Sequence, residues 1–212
     1  MKINQLVSTS LFLGIMLVFV SCQSDEDTSN QRKMDYTDYT RHQFKKMGLE
    51  IKLPKTYTSF EYGDEMLDSL NQANAQEGKR DPMRAYLLAS IYAQKENKLE
   101  MFVNHESENQ LAITELPYTP IEPKLGGQLV GYYKSNLEAI NRQSGQQFEL
   151  VEKNMIVGGK INYMRFVVTG NDFSIQTYLI TRGMKTWRME HLGTDDLDYE
   201  AVLSSIRIVK SP

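Results

Sequence analysis

The side chains able to do chemistry are few and scattered. The histidines are His42, His105 and His191. No two of them stand at the four-residue spacing by which a helix presents paired imidazoles to zinc. One cysteine, Cys22, leaves no second thiol for a disulfide or a redox pair. The run His105-Glu106-Ser107-Glu108 reads as a polar hairpin tip. His191 closes an apolar strand close to Asp195 and Asp196. A carboxylate that orients a histidine can make a general base, so His191 with Asp195 is a hydrolase candidate. The same carboxylates have a sufficient reason in the field at the start of a helix. Asp195-Asp196-Leu197-Asp198 lacks the glycine and terminal glutamate of a calcium loop. No G-x-S-x-G elbow, phosphate-binding loop or G-x-G-x-x-G run is present. No catalytic residue, metal or cofactor is assigned.

Positioning falls to a run of four antiparallel strands, expected over 148–157, 160–169, 172–182 and 185–192. Gly158-Gly159, Gly170-Asn171 and Gly183-Met184 separate them, and such pairs supply the positive φ that tight hairpins need. The segments are rich in Val, Ile, Thr, Tyr, Phe and Trp, which fit a pleated surface. A loop at Gly170-Asn171 sets Phe166 opposite Ile175 and Tyr163 opposite Tyr178. A loop at Gly183-Met184 sets Ile180 opposite Trp187 and Tyr178 opposite Met189. One face then carries Ile161, Tyr163, Tyr178, Ile180, Trp187 and Met189; the other carries Met164, Phe166, Val168, Phe173, Ile175 and Leu179. Both faces are apolar, so both need cover, which predicts an α+β fold with helices on both faces of an antiparallel sheet. Tyr163, Tyr178, Trp187 and His191 are the candidate partner or ligand surface on this meander.

Upstream, 48–53 reads as a strand stopped by Pro54. The stretch 64–76 is weakly helical. Asp81-Pro82 reads as a cap and first-turn proline, followed by a helix through Met83, Tyr86, Leu87 and Ile91; a buried strand over 85–92 fits the same apolar run. A hairpin is expected over 99–103 and 111–116, then a crossover through Pro117, Pro120 and Pro123. The helix 127–142 carries Leu129, Tyr133, Leu137 and Ile140 on one stripe. A last helix spans 197–206, capped by Asp195-Asp196. The chain of 212 residues, 41% hydrophobic, suits a single domain, expected over 44–210. A formal charge of −3 offers no overall basic field for nucleic acid.

The N-terminus reads as an address. Lys2 is the only charge before a ten-residue apolar run, 11–20, too short to span a bilayer and suited to a secretory signal over 1–21. Phe19-Val20-Ser21-Cys22 resembles a bacterial lipobox, in which the cysteine is acylated on sulfur and becomes the first residue of the mature protein. Phe19 stands where that motif usually has Leu. The alternative is an ordinary signal peptide with a stray cysteine. Ser24, Asp25, Glu26 and Asp27 follow. They resemble the export signal of Bacteroidetes lipoproteins destined for the outer face of the outer membrane; a solvated acidic linker, or the periplasmic face, is the alternative. Residues 22–43 are expected to be a flexible tether.

The strand-Leu-Pro element at 49–54, the mid-chain helix, the meander rich in Tyr and Trp, and the ending Ser204-Ser205-Ile206-Arg207-Ile208-Val209 resemble the PsbP-like superfamily. That superfamily also takes in the Mog-type Ran-binding factor and bacterial lipoproteins. The resemblance covers about 44–210. It implies an antiparallel sheet between helical layers and a role in binding or assembly, with no catalytic residues to transfer. The functional expectation is a non-enzymatic, lipid-anchored envelope protein that binds a protein partner. The alternatives are a carrier of a small apolar ligand and the His191/Asp195 hydrolase.

Overall fold

A computed structural model describes residues 34–77, 82–144, 147–170, 174–193 and 197–210. Residues 34–212 form a compact unit of their own. The expected signal over 1–21, Cys22, and the acidic run Ser24, Asp25, Glu26, Asp27 lie outside the described residues, as do Asp195 and Asp196.

Among the described residues, ten strands and four α-helices follow one another in the order β1 (Tyr39–Phe44), β2 (Leu49–Pro54), β3 (Tyr57–Phe60), α1 (Asp64–Glu77), α2 (Pro82–Lys95), β4 (Leu99–Asn104), β5 (Gln110–Leu116), α3 (Gly126–Ser144), β6 (Glu149–Ile156), β7 (Asn162–Thr169), β8 (Ser174–Arg182), β9 (Lys185–Leu192), α4 (Tyr199–Ser205) and β10 (Arg207–Ile208). The main sheet is antiparallel and orders its seven strands β3-β4-β5-β9-β8-β7-β6. A second, three-stranded sheet runs β1-β2-β10. The protein is therefore an α+β sandwich; the meander β6 to β9, expected at the centre of the sheet, forms one half of it, with β9 in the middle and β6 at the edge.

The meander's register follows its turns. Across Gly183-Met184, Ile180 pairs with Trp187 and Tyr178 with Met189, as the two-residue turn requires; Gly183 takes φ +59, which glycine adopts without strain. Between β7 and β8 the last pair is Thr169 with Ser174, so the loop is 170–173 and longer than Gly170-Asn171. Phe166 consequently faces Thr177, and Tyr163 faces Ile180. The slip is two residues, and an even slip leaves every side chain on its expected face.

One face of the main sheet buries Tyr57, Phe102, Leu111, Ile113, Tyr178, Ile180, Trp187 and Met189 against Met47, Leu49, Ile51 and Leu53 from β2 and its turn, and Val202, Leu203 and Ile206 from α4 and its end. This cover is a small sheet plus one short helix. The sequence reading expected helices, or a partner, as cover here, and the helix α4 is joined by the small sheet. The strand β1 explains the difference: it pairs with β2 along its whole length, from Tyr39 opposite Pro54 to Phe44 opposite Leu49. The expected tether 22–43 thus overlaps a strand, and the folded domain begins ahead of residue 44. His42 and Phe44 point inward and pack on Phe102, at ring distances of 4.9 and 5.9 Å.

The opposite face buries Met164, Phe166 and Ile121, with Leu129, Val130 and Tyr133 of α3 packed against them. Tyr133 stacks flat on Phe166 at 4.0 Å. α2 packs along β4 and touches α3, so the segment 82–95 is a helix and the strand alternative falls. α1 is a full helix of 14 residues, with Asp64 and Glu65 in the first turn, where the helix field favours them. The stripe of α3 runs through Leu129, Tyr133 and Leu137; Ile140, expected on it, is 49% exposed. α4 is capped by Asp198, whose Oδ1 accepts the Ala201 N–H at 3.0 Å, three residues beyond the cap expected at Asp195.

Candidate functional site

The strands do bring Tyr163, Tyr178, Trp187 and His191 to one face of the sheet, because the pairs Tyr163–Ile180, Ile180–Trp187, Tyr178–Met189 and Gln176–His191 alternate consistently. That face is the covered one. Tyr178 is 3% exposed, Trp187 1% and His191 1%, and only Tyr163 reaches solvent in part. The expected surface is thus a buried layer, because the small sheet and α4 were not legible as its lid. Trp187 donates its Nε1–H to the Met47 carbonyl at 3.1 Å and fills the core beneath the β1–β2 turn.

His191 is held between two phenols. Nε2 lies 2.9 Å from the Tyr57 hydroxyl, and Nδ1 lies 2.5 Å from the Tyr199 hydroxyl. A neutral imidazole has one donor and one acceptor nitrogen, so one tyrosine gives a proton and the other receives one. The ring enters from β9 and its partners from β3 and α4, which pins the end of the covering layer to the main sheet. Tyr199 stacks on Tyr178 at 4.9 Å, and Tyr178 approaches Tyr163 at 5.9 Å. Tyr178 donates to Gln176 Oε1 at 3.4 Å, which also accepts from Arg165 at 3.0 Å; Arg165 in turn pairs with Glu152 at 2.9 Å. A polar and aromatic chain thus runs from buried His191 to Glu152 on β6, at the rim of the sheet. This arrangement orders side chains across six elements, β3, β6, β7, β8, β9 and α4. It presents no exposed imidazole to a substrate at His191.

The other histidines stand apart. His42 lies on β1, and burial holds its imidazole below the usual histidine range; its Nε2 is buried without a hydrogen-bond partner. His105 lies in the β4–β5 turn. Among the described residues no three His, Cys, Asp or Glu side chains gather as a metal site, and no helix is long and apolar enough to cross a membrane.

The two edges of the main sheet differ in a way the sequence reading missed. At β3 the Gln94 side chain caps the strand's end: its amide donates to the Phe60 carbonyl at 2.6 Å and its oxygen accepts from the Tyr62 N–H at 3.0 Å. At the other edge Asn141 makes the same two bonds to Phe148, at 2.8 and 2.9 Å, but only where β6 begins. Beyond it β6 ends the strand order, with Val151 54% and Ile156 42% exposed and a bulge between Leu150 and Glu152. An alternation broken at one bulge was the sequence signal for an edge, and it was hidden by the Val/Ile content of the strand.

The class of protein is set by this architecture: an α+β sandwich whose long sheet ends in β3 at one edge and β6 at the other. The chain is similar to the solution structure of the cyanobacterial PsbP protein CyanoP from Synechocystis sp. PCC 6803, at 12% identity and a TM-score of 0.49, over 85% of this chain and 98% of that one. No family model matches the chain, and no curated protein matches it.

Proposed function

We propose that this chain is a lipid-anchored cell-envelope protein that performs no chemistry itself and holds a protein partner against the open edge of its main sheet. The observation that carries the reading is β6, a terminal strand eight residues long whose outer side pairs with no strand among the described residues, with Val151 and Ile156 exposed along it. An extended segment of a partner would add as an eighth strand, with main-chain hydrogen bonds giving affinity and alternate side chains giving choice. Glu149, Glu152 and Lys153 on the same strand, with its bulge, discourage pairing between two copies of the chain. The PsbP-like order of elements read in the sequence fits a binding role. Cys22 would carry the acyl chains, with two or more needed for stable attachment. Ser24, Asp25, Glu26 and Asp27 would direct the protein to the outer face of the outer membrane, with the periplasmic face as the other outcome.

A photocrosslinking side chain at Val151 tests the edge. In envelope preparations it should trap one discrete protein, and Ile156→Asp should abolish the product. Crosslinks no stronger than those from exposed Tyr92 on α2 would overturn the edge as a docking site. The anchor is tested separately. Cys22→Ala should eliminate metabolic labelling by a fatty acid, and undiminished label would refute the lipobox.

A further inference from the structure

Charge is segregated along the strand direction. The turns at one end of the sandwich meet closely. The β1–β2 turn reaches β10, where the Val209 N–H donates to the Gly48 carbonyl at 3.1 Å. A Cβ at Gly48 would lie 3.2 Å from Lys185 Cε, and one at Gly183 would lie 2.9 Å from Ile208 Cδ1. Arg182, beside Gly183, donates to the Ile206 carbonyl. Gly183 also borders a shallow polar depression of about 180 Å³, with Tyr118 and Lys160 on its other walls. Lys45, Lys46, Lys160, Arg207 and Lys210 are all exposed on these turns. The acids nearby are already matched: Glu115 to Lys185 at 2.7 Å and Glu122 to Lys124 at 2.9 Å. Among the basic groups stand exposed apolar side chains, Met184 at 81%, Tyr118 at 50% and Ile208 at 47%.

The other end has the opposite sign. Among the described residues it carries Asp35, Asp38, Glu106, Glu108 and Asp198, with Lys55 paired to Asp38. The two ends are separated by about 30 Å, the length of a nine-residue strand such as β8. In a chain of net charge −3, a basic and apolar end is a local feature that the total conceals.

The geometry points to the basic end as a docking surface for an anionic lipid bilayer. Its cations come from several separate turns and surround a hairpin tip whose foremost side chain is Met184. A fluid anionic surface satisfies such scattered charges without a fixed register, and it accepts an apolar tip at the level of the headgroups. Lysine stems cover apolar surface while their ammonium groups stay at the phosphates. The surface does not include Val151 or Ile156 of the open edge and does not require acylation of Cys22.

The test uses residues 34–212, the compact unit without the signal and anchor. It should sediment with vesicles of phosphatidylglycerol and phosphatidylcholine in equal amounts, and remain in solution with phosphatidylcholine alone. Binding should weaken steeply with added salt. Lys45→Glu, Lys46→Glu and Lys210→Glu together replace only exposed side chains, so the fold survives, as a matching thermal melt checks. The triple variant should lower vesicle partition on the order of a hundredfold, from about fivefold per lost lysine. Met184→Trp should show a blue-shifted emission on anionic vesicles. Equal partition to both vesicle types, or a triple variant that binds as well as the parent, overturns the proposal. So does a parent that ignores the vesicles yet binds duplex DNA or an acidic protein through the same lysines.

Discussion

The two faces of the seven-stranded sheet are built to different standards. Among the described residues, the face toward β2 and α4 joins sixteen buried residues in one continuous core, and its polar clamp Tyr57–His191–Tyr199 is bonded at both ring nitrogens. The face toward α3 has a smaller cluster, Ile121, Met164 and Phe166, ringed by half-buried residues, with Val168 also buried on that face. It also carries polar groups between strand and helix: Tyr133 bonds Thr177 at 3.1 Å, and Arg188 meets Glu190 at 3.2 Å. A larger continuous core removes more apolar surface from water, so the first face should dominate stability. The second is left as the adaptable layer. It borders the open β6 edge through the packing of Leu150 and Met155.

The comparison breaks most sharply at Trp187. Its indole is 1% exposed and hydrogen-bonded to the Met47 carbonyl, so Trp187→Ala leaves both a cavity and an unpaired acceptor. The expected loss is about 3–5 kcal/mol, read from chemical denaturation. On the other face, Phe166→Ala removes a fully buried ring stacked on Tyr133. There α3 can settle toward the gap, because its flank is half exposed, so the loss should stay near the lower bound of about 3 kcal/mol. A loss at Phe166 that exceeds the loss at Trp187 would reverse the ranking of the two faces.

A finer cut separates packing from hydrogen bonding on the α3 face. Tyr133→Phe keeps the stack on Phe166 and removes only the hydroxyl that meets Thr177, a residue with no exposed surface. The expected cost is about 1 kcal/mol, the net worth of one such bond together with the stranded threonine hydroxyl. No change in the denaturation midpoint would mean that Thr177 finds another partner when Tyr133 withdraws.

The legible part of this protein was the part governed by local pattern. Glycine at 183 fixed the β8–β9 turn, and with it the pairs Ile180–Trp187 and Tyr178–Met189. The two faces of the meander were assigned correctly even where the β7–β8 loop was misjudged, because alternation survives an even slip. The lid was not legible. β1 is a mostly polar edge strand, and β10 has two residues. Only Gly48, at φ +64 and directly ahead of β2, marks the hairpin in sequence. Without the lid, His191 read as a strand-end residue beside carboxylates. Among the described residues its ring meets Tyr57 and Tyr199, and Tyr57 is brought in by β3 across a separation that no local pattern encodes.

The smallest predicted effect lies at the margin of the better-packed face. His42 packs on Phe44 and Phe102, and its Nε2 is buried without a hydrogen-bond partner. Burial lowers its pKa below the ordinary 6.5, since an imidazolium there would lose its hydration. The unfolded chain keeps the ordinary value. As pH falls below 6.5, the unfolded state therefore takes up a proton that the folded state resists. His42 thus leaves stability intact above that pH and erodes it as pH falls toward the folded pKa, below which its contribution stops changing. The carboxylate of Glu50 acts in a lower window. Its hydrogen bond from Arg41 holds it below the ordinary 4.5, so the stability it contributes is lost only as pH falls below that value. Denaturation midpoints followed downward from neutral pH should accordingly begin to decline before the carboxylates titrate. His42→Leu, which keeps the contact with Phe102 and cannot be protonated, should flatten that first decline and leave the acid limb in place. An unchanged slope in the variant would show that the imidazole reaches water in its charged form. β1 would then be the loosest strand of the covering sheet, and the face ranked here as sealed would open from that edge.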